Sequence, residues 1–304
     1  MSIFDRFRKK IAPPKKTKDK DKGRGSLIVP NPPPPPPPPD SLASFEIIIN
    51  DDFPGTTSEK LRAELLRLSA IDQVQIVDLR DEQPNPPLPV NGKVKWKIQR
   101  GKVVERDPTI IDGITVHQTA VRFSVGAPAI KAAGGDRQLA LARRSKGVAC
   151  HTMAFADGFV AVPNPLTWYV YHGNGFNAKT LGIEIDGDFV GLMNDPTTAY
   201  RKKTNPDVLT PELRAAACRG IKFLVDEGRK QGMPIKYIYA HRQSSPTRRS
   251  DPGEQIWWEV VIQYAVKELG LEMKPGLIQD KGYNIPKQWD PENGVGDYWD
   301  RAKL

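Results

Sequence analysis

An unbroken run of eight prolines, Pro32 to Pro39, decides where this chain can fold. Each proline fixes φ and removes a backbone donor, so the run can join neither a helix nor a sheet ladder. It is expected to form polyproline II, a stiff spacer rising ~3.1 Å per residue. Residues 13–31 before it are rich in Lys, Asp, Gly and Pro and are expected to be disordered. Residues 1–12 place Ile3, Phe4, Phe7 and Ile11 roughly on one side of a short basic helix, too small an apolar stripe to hold firmly to a membrane surface. Residues 1–40 therefore read as a disordered tail and spacer, and the core must come from the residues beyond the proline run.

Charge divides at the same place. Residues 1–24 hold ten Lys/Arg against three Asp, or +7 of the chain's net +9, which leaves +2 for the remaining 280 residues. A nearly neutral body argues against specific nucleic-acid binding, which needs a basic face on the folded part. The tail is left as a handle for an anionic envelope surface. No run approaches the ~18–20 apolar residues of a membrane helix. The basic start lacks the apolar segment of a secretory signal, so synthesis in the cytoplasm is expected. The two cysteines, Cys150 and Cys218, form no Cys-x-x-Cys pair and leave the redox compartment open.

Residues 41–100 read as a small βαβ-like region, with strands over Phe45–Ile49 and Val74–Leu79 and a helix over Ser58–Leu68. It ends in the Pro-rich turn 84–89 and carries no Gly-rich phosphate loop. Beyond it, Lys93–Ile98 alternates like a half-exposed strand, and residues 113–119 form an apolar strand that carries His117. A helix is predicted over Asp136–Ser145, and a hairpin over residues 148–162 turns at Asp157-Gly158. Leu181–Ile185 reads as a buried strand. Thr210 and Pro211 open a helix running to Lys230, with Leu213, Ala217, Ile221 and Leu224 on one stripe. Ile235–Ala240 is a strand that leads into His241, and Trp257–Leu269 is a last helix. The tail from Glu272 is expected to wrap over the body without regular structure. These elements describe an α/β fold, a mixed central β-sheet flanked by helices, with a groove on one side.

The four histidines, His117, His151, His172 and His241, all fall between residues 117 and 241. A histidine alone is most often a surface or satisfied core residue. His117 and His241, however, stand at the ends of two predicted strands, where side chains from neighbouring strands can converge. With Asp251 they would offer two nitrogens and one oxygen, a donor set suited to zinc with a fourth position for water. Such water becomes a usable nucleophile near neutral pH.

Four blocks, in order, carry a resemblance to a known family. They are Ile114-Thr-Val-His-Gln-Thr; Ala149-Cys-His-Thr-Met-Ala-Phe-Ala-Asp-Gly; Tyr171-His-Gly-Asn-Gly-Phe-Asn-Ala-Lys-Thr-Leu-Gly-Ile-Glu-Ile-Asp-Gly; and Ala240-His-Arg through Ser250-Asp-Pro-Gly. Together, over roughly residues 105–265, they resemble the zinc-dependent N-acetylmuramoyl-L-alanine amidases, which share a fold with peptidoglycan recognition proteins and phage lysozyme-type amidases. The resemblance implies a zinc amidase domain over 101–270 and a C-terminal extension over 271–304. It implies Zn2+ held by His117, His241 and Asp251, with Glu184 as the acid-base group and Arg249 steadying the oxyanion. His172, Asn177 and Arg248 would bind substrate, with Arg248 competing for the role of Arg249, and His151 would be mainly structural. Cys150 stands where some members have a catalytic tyrosine, arginine replaces lysine at 249, and Tyr171 replaces the tryptophan before His172. The implied activity is endolysin-like hydrolysis of peptidoglycan at the amide between N-acetylmuramic acid and L-alanine, on the cell wall after release or delivery. A non-catalytic peptidoglycan-binding protein and a cytosolic muropeptide-recycling amidase are the alternatives.

Overall fold

The computed structural model describes residues 69–193, 198, 205–274 and 282–292. The expected basic helix, polyproline spacer, strand Phe45–Ile49 and helix Ser58–Leu68 lie outside the described residues.

A seven-stranded mixed sheet forms the centre, in the order β1-β6-β5-β7-β4-β8-β9. Its strands are β1 (Ile76–Asp78), β4 (Gly113–Gln118), β5 (Thr152–Phe155), β6 (Phe159–Val162), β7 (Thr180–Ile185), β8 (Tyr237–Ala240) and β9 (Glu272–Met273). Only the β5–β6 hairpin is antiparallel; β1 pairs with β6, β5 and β8 flank the β7–β4 pair, and β9 joins β8, all in parallel. Strand β1 thus belongs to the same sheet as the strands beyond residue 100.

The central strands are buried on both faces, which is why they read as continuous apolar runs rather than alternating ones. One face carries Ile114, Val116, Ile183, Ile185 and Ala154, in a core shared with two helices. The first is α3 (Pro211–Lys230), whose Leu213, Ala217, Ile221 and Leu224 are fully buried. Its start is fixed by Thr210, whose side chain accepts from Leu213 N at 3.2 Å, a cap worth ~1 kcal/mol. The second begins as α4 (Glu254–Ile256) and continues through Trp257–Val266 with wider i+5 hydrogen bonding. Two shorter helices precede them, α1 (Ala127–Ala132) and α2 (Arg137–Ser145), the latter capped by the Asp136 side chain. On the opposite face Leu141 and Ala142 of α2 pack with Met153, Phe155 and Phe159.

Two expectations change. Lys93–Ile98 is not a continuous strand: Lys93 and Trp96 make isolated bridges to Val90 and Val170, and Ile98 belongs to β2 (Ile98–Gln99), which pairs with β3 (Lys102–Val103) across a tight turn. Trp96 is drawn inward because its indole donates to Asn164 Oδ1 at 2.9 Å and its ring joins Val103, Trp168 and Val170 in a separate small core. The segment after Leu271 is also more ordered than expected. It contributes β9, and among residues 282–292 Trp289 is fully buried and donates to Gly191 O at 2.5 Å.

Candidate functional site

Strands β4, β7 and β8 run parallel, so their carboxyl ends lie along one edge, where open α/β sheets place their ligands. His117 is the next-to-last residue of β4 and is paired in register with Glu184 of β7. Neighbouring residues in register project to the same face, so both side chains leave the sheet together. His241 comes immediately after β8, and Asp251 lies on the loop beyond it.

These residues converge. One ligand atom each from His117, His241 and Asp251 lies within 4.8 Å of the others. His241 Nδ1 is 2.9 Å from Asp251 Oδ2, while the second carboxylate oxygen accepts from Gln118 N at 2.9 Å. Gln118 further ties the loop down, since its amide donates to Ser250 O and Phe189 O and accepts from Phe189 N. Gly253 closes the loop at φ 102, where a Cβ would meet Val190 O at 2.8 Å. Only glycine suits that combination of left-handed backbone and close approach.

His172 reaches the cluster over β7. Its Nδ1 is 3.2 Å from His117 Nε2 and its Nε2 is 3.2 Å from Thr180 O. The ring lies so close to the strand that a Cβ on Gly182 would sit 2.7 Å from its Cγ. Beneath it His151 Nδ1 accepts from Gly182 N at 2.9 Å. Arg106 closes the floor from below: it donates to Asn177 O, Thr180 O and Leu166 O at 2.9, 2.6 and 2.6 Å and approaches His151 Nε2 at 3.0 Å.

Burial governs the electrostatics. It lowers the Arg106 pKa to about 9. Burial and then the Arg106 charge push His172 down to about 3, and the same two causes hold His151 well below its ordinary value. Burial and then the neighbouring His241 hold His117 well below as well. These three rings are therefore neutral, the state in which an imidazole nitrogen can bind a cation. Glu184 goes the other way, pushed up to about 8 by burial and then by the Asp251 carboxylate. The Cys150 thiol, fully buried, is raised well above its ordinary value by burial and then by Glu184.

The cluster fits a bound cation on its own terms. His117 Nδ1 and Glu184 Oε2 are buried without a hydrogen-bond partner. Such orphaned atoms cost ~1–3 kcal/mol each unless a ligand satisfies them. Two nitrogens and a carboxylate, one of the nitrogens on a buried neutral ring, form the donor set that supplies that ligand field.

A cleft of about 630 Å³ opens over the cluster, lined among others by Glu184, His241, His172, Asn177, Lys95 and Arg248. The structure therefore gathers His117, His241, Asp251, Glu184, His172, Asn177 and Arg248 in one place. Asn177 is half of a backbone lock, accepting from Gly173 N at 2.6 Å. Arg249 is not brought into the cleft. It donates to Tyr283 O–H at 3.0 Å and stacks on that ring at 4.3 Å. Arg242, which lies over Trp289 at 4.9 Å and donates to Arg249 O, fixes the same stretch from behind. Gln118 is a site residue that the sequence pattern did not single out, although it directly follows His117. Arg106 offered no signal, being one arginine among many.

Fold and site together define a mixed α/β domain with a buried His/His/Asp cluster at the carboxyl ends of its parallel strands. Residues 106–254 match the family model described as N-acetylmuramoyl-L-alanine amidase, and the chain carries a domain of that family. No curated protein matches the chain. Among solved structures it is similar to the endolysin amidase LysCS from Clostridium intestinale URNW, with 16% identity and a TM-score of 0.37, covering 65% of this chain and 97% of that one. It is similar to Drosophila PGRP-LB, with 14% identity and a TM-score of 0.37, covering 66% and 97%. The Ph2119 endolysin of the Thermus scotoductus MAT2119 bacteriophage gives 17% identity and a TM-score of 0.36, covering 62% and 98%.

Proposed function

We propose that this chain is a zinc-dependent peptidoglycan amidase that cleaves the bond between N-acetylmuramic acid and L-alanine, acting on the cell wall after release or delivery. The observation that carries the reading is the convergence of His117, His241 and Asp251 with Glu184 directly across the strand pair. Zinc in such a site supplies Lewis acidity, which lowers the pKa of a coordinated water and polarises a carbonyl.

The chain's own residues do the rest. Gln118 aims Asp251 by holding one carboxylate oxygen, leaving the other toward His241. His172 buttresses His117 and excludes water from beneath it. Glu184 takes the proton of the attacking water and delivers it to the departing amine of L-alanine. A cation beside Glu184 favours its ionised form, countering the effect of burial. Arg248, which lines the cleft, takes the oxyanion role in place of Arg249, which is held by Tyr283. A fixed cation at the developing charge stabilises the transition state more than the ground state. The presence of all three ligand candidates and the acid-base carboxylate favours an enzyme over a binding-only protein.

The test is purified protein on intact peptidoglycan, with and without a chelator, read by mass spectrometry. The expected products are free stem peptides beginning at L-alanine, and chelation abolishes them. Glycan cleavage, or activity indifferent to metal removal, rules the reading out. Glu184→Gln is expected to lower turnover by ~10²–10⁴-fold while bound zinc stays stoichiometric. Loss of zinc from that variant would show that Glu184 is a ligand instead.

A further inference from the structure

The family match ends at residue 254, yet the loop that follows β8 is held by a segment well beyond it. That loop, residues 241–253, opens on His241 and carries Asp251 near its end, two of the three ligand candidates. Strand pairing fixes His117, but neither His241 nor Asp251 lies in a strand. Arg242 joins the two ends of the loop. Its backbone N donates to Asp251 O at 3.1 Å, and its guanidinium donates to Arg249 O.

Arg242 is itself seated by residues 282–292. Its carbonyl accepts from Tyr283 N at 2.9 Å. Its buried guanidinium lies over the Trp289 ring at 4.9 Å and the Tyr283 ring at 5.8 Å. Tyr283 also reaches the middle of the loop, where its O–H donates to Pro246 O at 3.2 Å and accepts from Arg249 at 3.0 Å. Gly282 lies so near that a Cβ there would run into the backbone of Gln243 and Ser244. The rest of the segment is anchored in the body. Ile285 and Trp289 belong to the main core, Trp289 donates to Gly191 O, and Glu292 pairs with Lys267 at 2.9 Å. The segment is thus fixed along its length and presses Gly282 and Tyr283 onto the loop.

A metal site needs its donors held in place by the residues behind them. We propose that residues 282–292 form a positioning strap, in which Tyr283, acting through Arg242, holds His241 and Asp251 at metal-binding separation. The metal rests on the amidase reading; the seating of the loop rests on the contacts alone.

The experiment uses the full chain carrying Gly282→Ala, Tyr283→Ala or Tyr283→Phe. Zinc affinity is measured by chelator competition, and hydrogen exchange of residues 241–251 is followed in the metal-free chain. Gly282→Ala and Tyr283→Ala are expected to weaken zinc binding by ~10–100-fold, the range for residues that orient metal ligands. Both should speed exchange over 241–251 while β4 and α3 keep their protection. Tyr283→Phe keeps the ring against both guanidinium groups and is expected to hold zinc more tightly than Tyr283→Ala. A segment that only adds stability would lower Tm and leave zinc affinity and local exchange unchanged. That result overturns the assignment, as does uniform loosening of the whole domain. Faster local exchange in the variants of a chain that binds no zinc when unmutated would sink the metal reading and leave the strap standing. Undiminished zinc binding and peptidoglycan hydrolysis in all three variants would do the reverse.

Discussion

Asp186 shows how a single residue near the site sets a pH dependence of its own. It sits just past the end of β7 and accepts from Phe123 N at 2.7 Å and from Ala156 N at 3.4 Å. Burial nevertheless outweighs these bonds and raises its pKa from 3.8 to about 6. The folded state therefore binds more protons than the unfolded state between those two values, and stability falls as pH rises through that window. Asn cannot titrate, and it can keep the short bond from Phe123 while losing the long one from Ala156. Asp186→Asn is thus expected to gain on the parent protein by about 1–3 kcal/mol from pH 4 to pH 7, with a plateau above. Urea unfolding at pH 4.5 and 7.5 measures the change, and a difference independent of pH would refute it. The same residue-level reasoning separates Arg248 from Arg249. Adjacent arginines are indistinguishable in a sequence; what parts them is Tyr283, about thirty positions later, which binds one and leaves the other over the cleft.

At the scale of elements, strand β7 is the piece on which the site depends most directly. It presents Glu184 on one side of Gly182 while that glycine leaves room for His172 above the strand. Gly182→Ala would force the imidazole off its place against His117. Overpacking of this kind costs ~1–3 kcal/mol. In a domain of this size that lowers Tm by ~2–4 °C per kcal/mol. The more telling expectation is a fall in kcat larger than any rise in KM, since His172 is the cleft-lining side chain that the new methyl group meets. A variant with normal kcat would show that His172 has no positioning role. Much of this level is legible in the sequence. Thr210-Pro211 before an apolar stripe announces α3, and the short apolar run before His117 announces β4, because caps and periodicity are local signals. Lys93–Ile98 misleads because its pairing with residues 169–171 is confined to one bridge, around the tryptophan drawn into a side core, and does not run on as a ladder. The i+5 bonding of Trp257–Val266 is hidden because its polar stripe, Gln255, Glu259, Gln263 and Lys267, recurs every four residues and reads as an ordinary α-helix. The roles of Arg106 and Tyr283 are illegible for a different reason: each is defined by partners remote in sequence, carbonyl oxygens in one case and an arginine in the other.

For the whole molecule, charge and chemistry are separated along the chain. The cleft and its floor carry cations at fixed points, Arg248, Lys95 and the buried Arg106, and residues 25–304 sum to nearly neutral. Most of the net positive charge belongs to residues 1–24 and is separated from the body by the proline run. On the amidase reading, hydrolysis of a small soluble muropeptide is expected to draw on the charges fixed at the cleft and not on the diffuse charge of the tail. Retention on an anionic surface depends on the summed charge, which salt screens over a Debye length of ~8 Å at physiological ionic strength. Deleting residues 1–24 should therefore leave kcat/KM on a soluble muropeptide within about two-fold of the full chain, because diffuse charge steers encounter far more than it alters chemistry. The same deletion should weaken retention on anionic wall fragments at low salt and flatten its dependence on salt. Parallel kinetics and co-sedimentation from low to high salt separate the two. If the truncated chain loses muropeptide hydrolysis while staying folded, the tail takes part in the site, and the division of labour between tail and body does not hold.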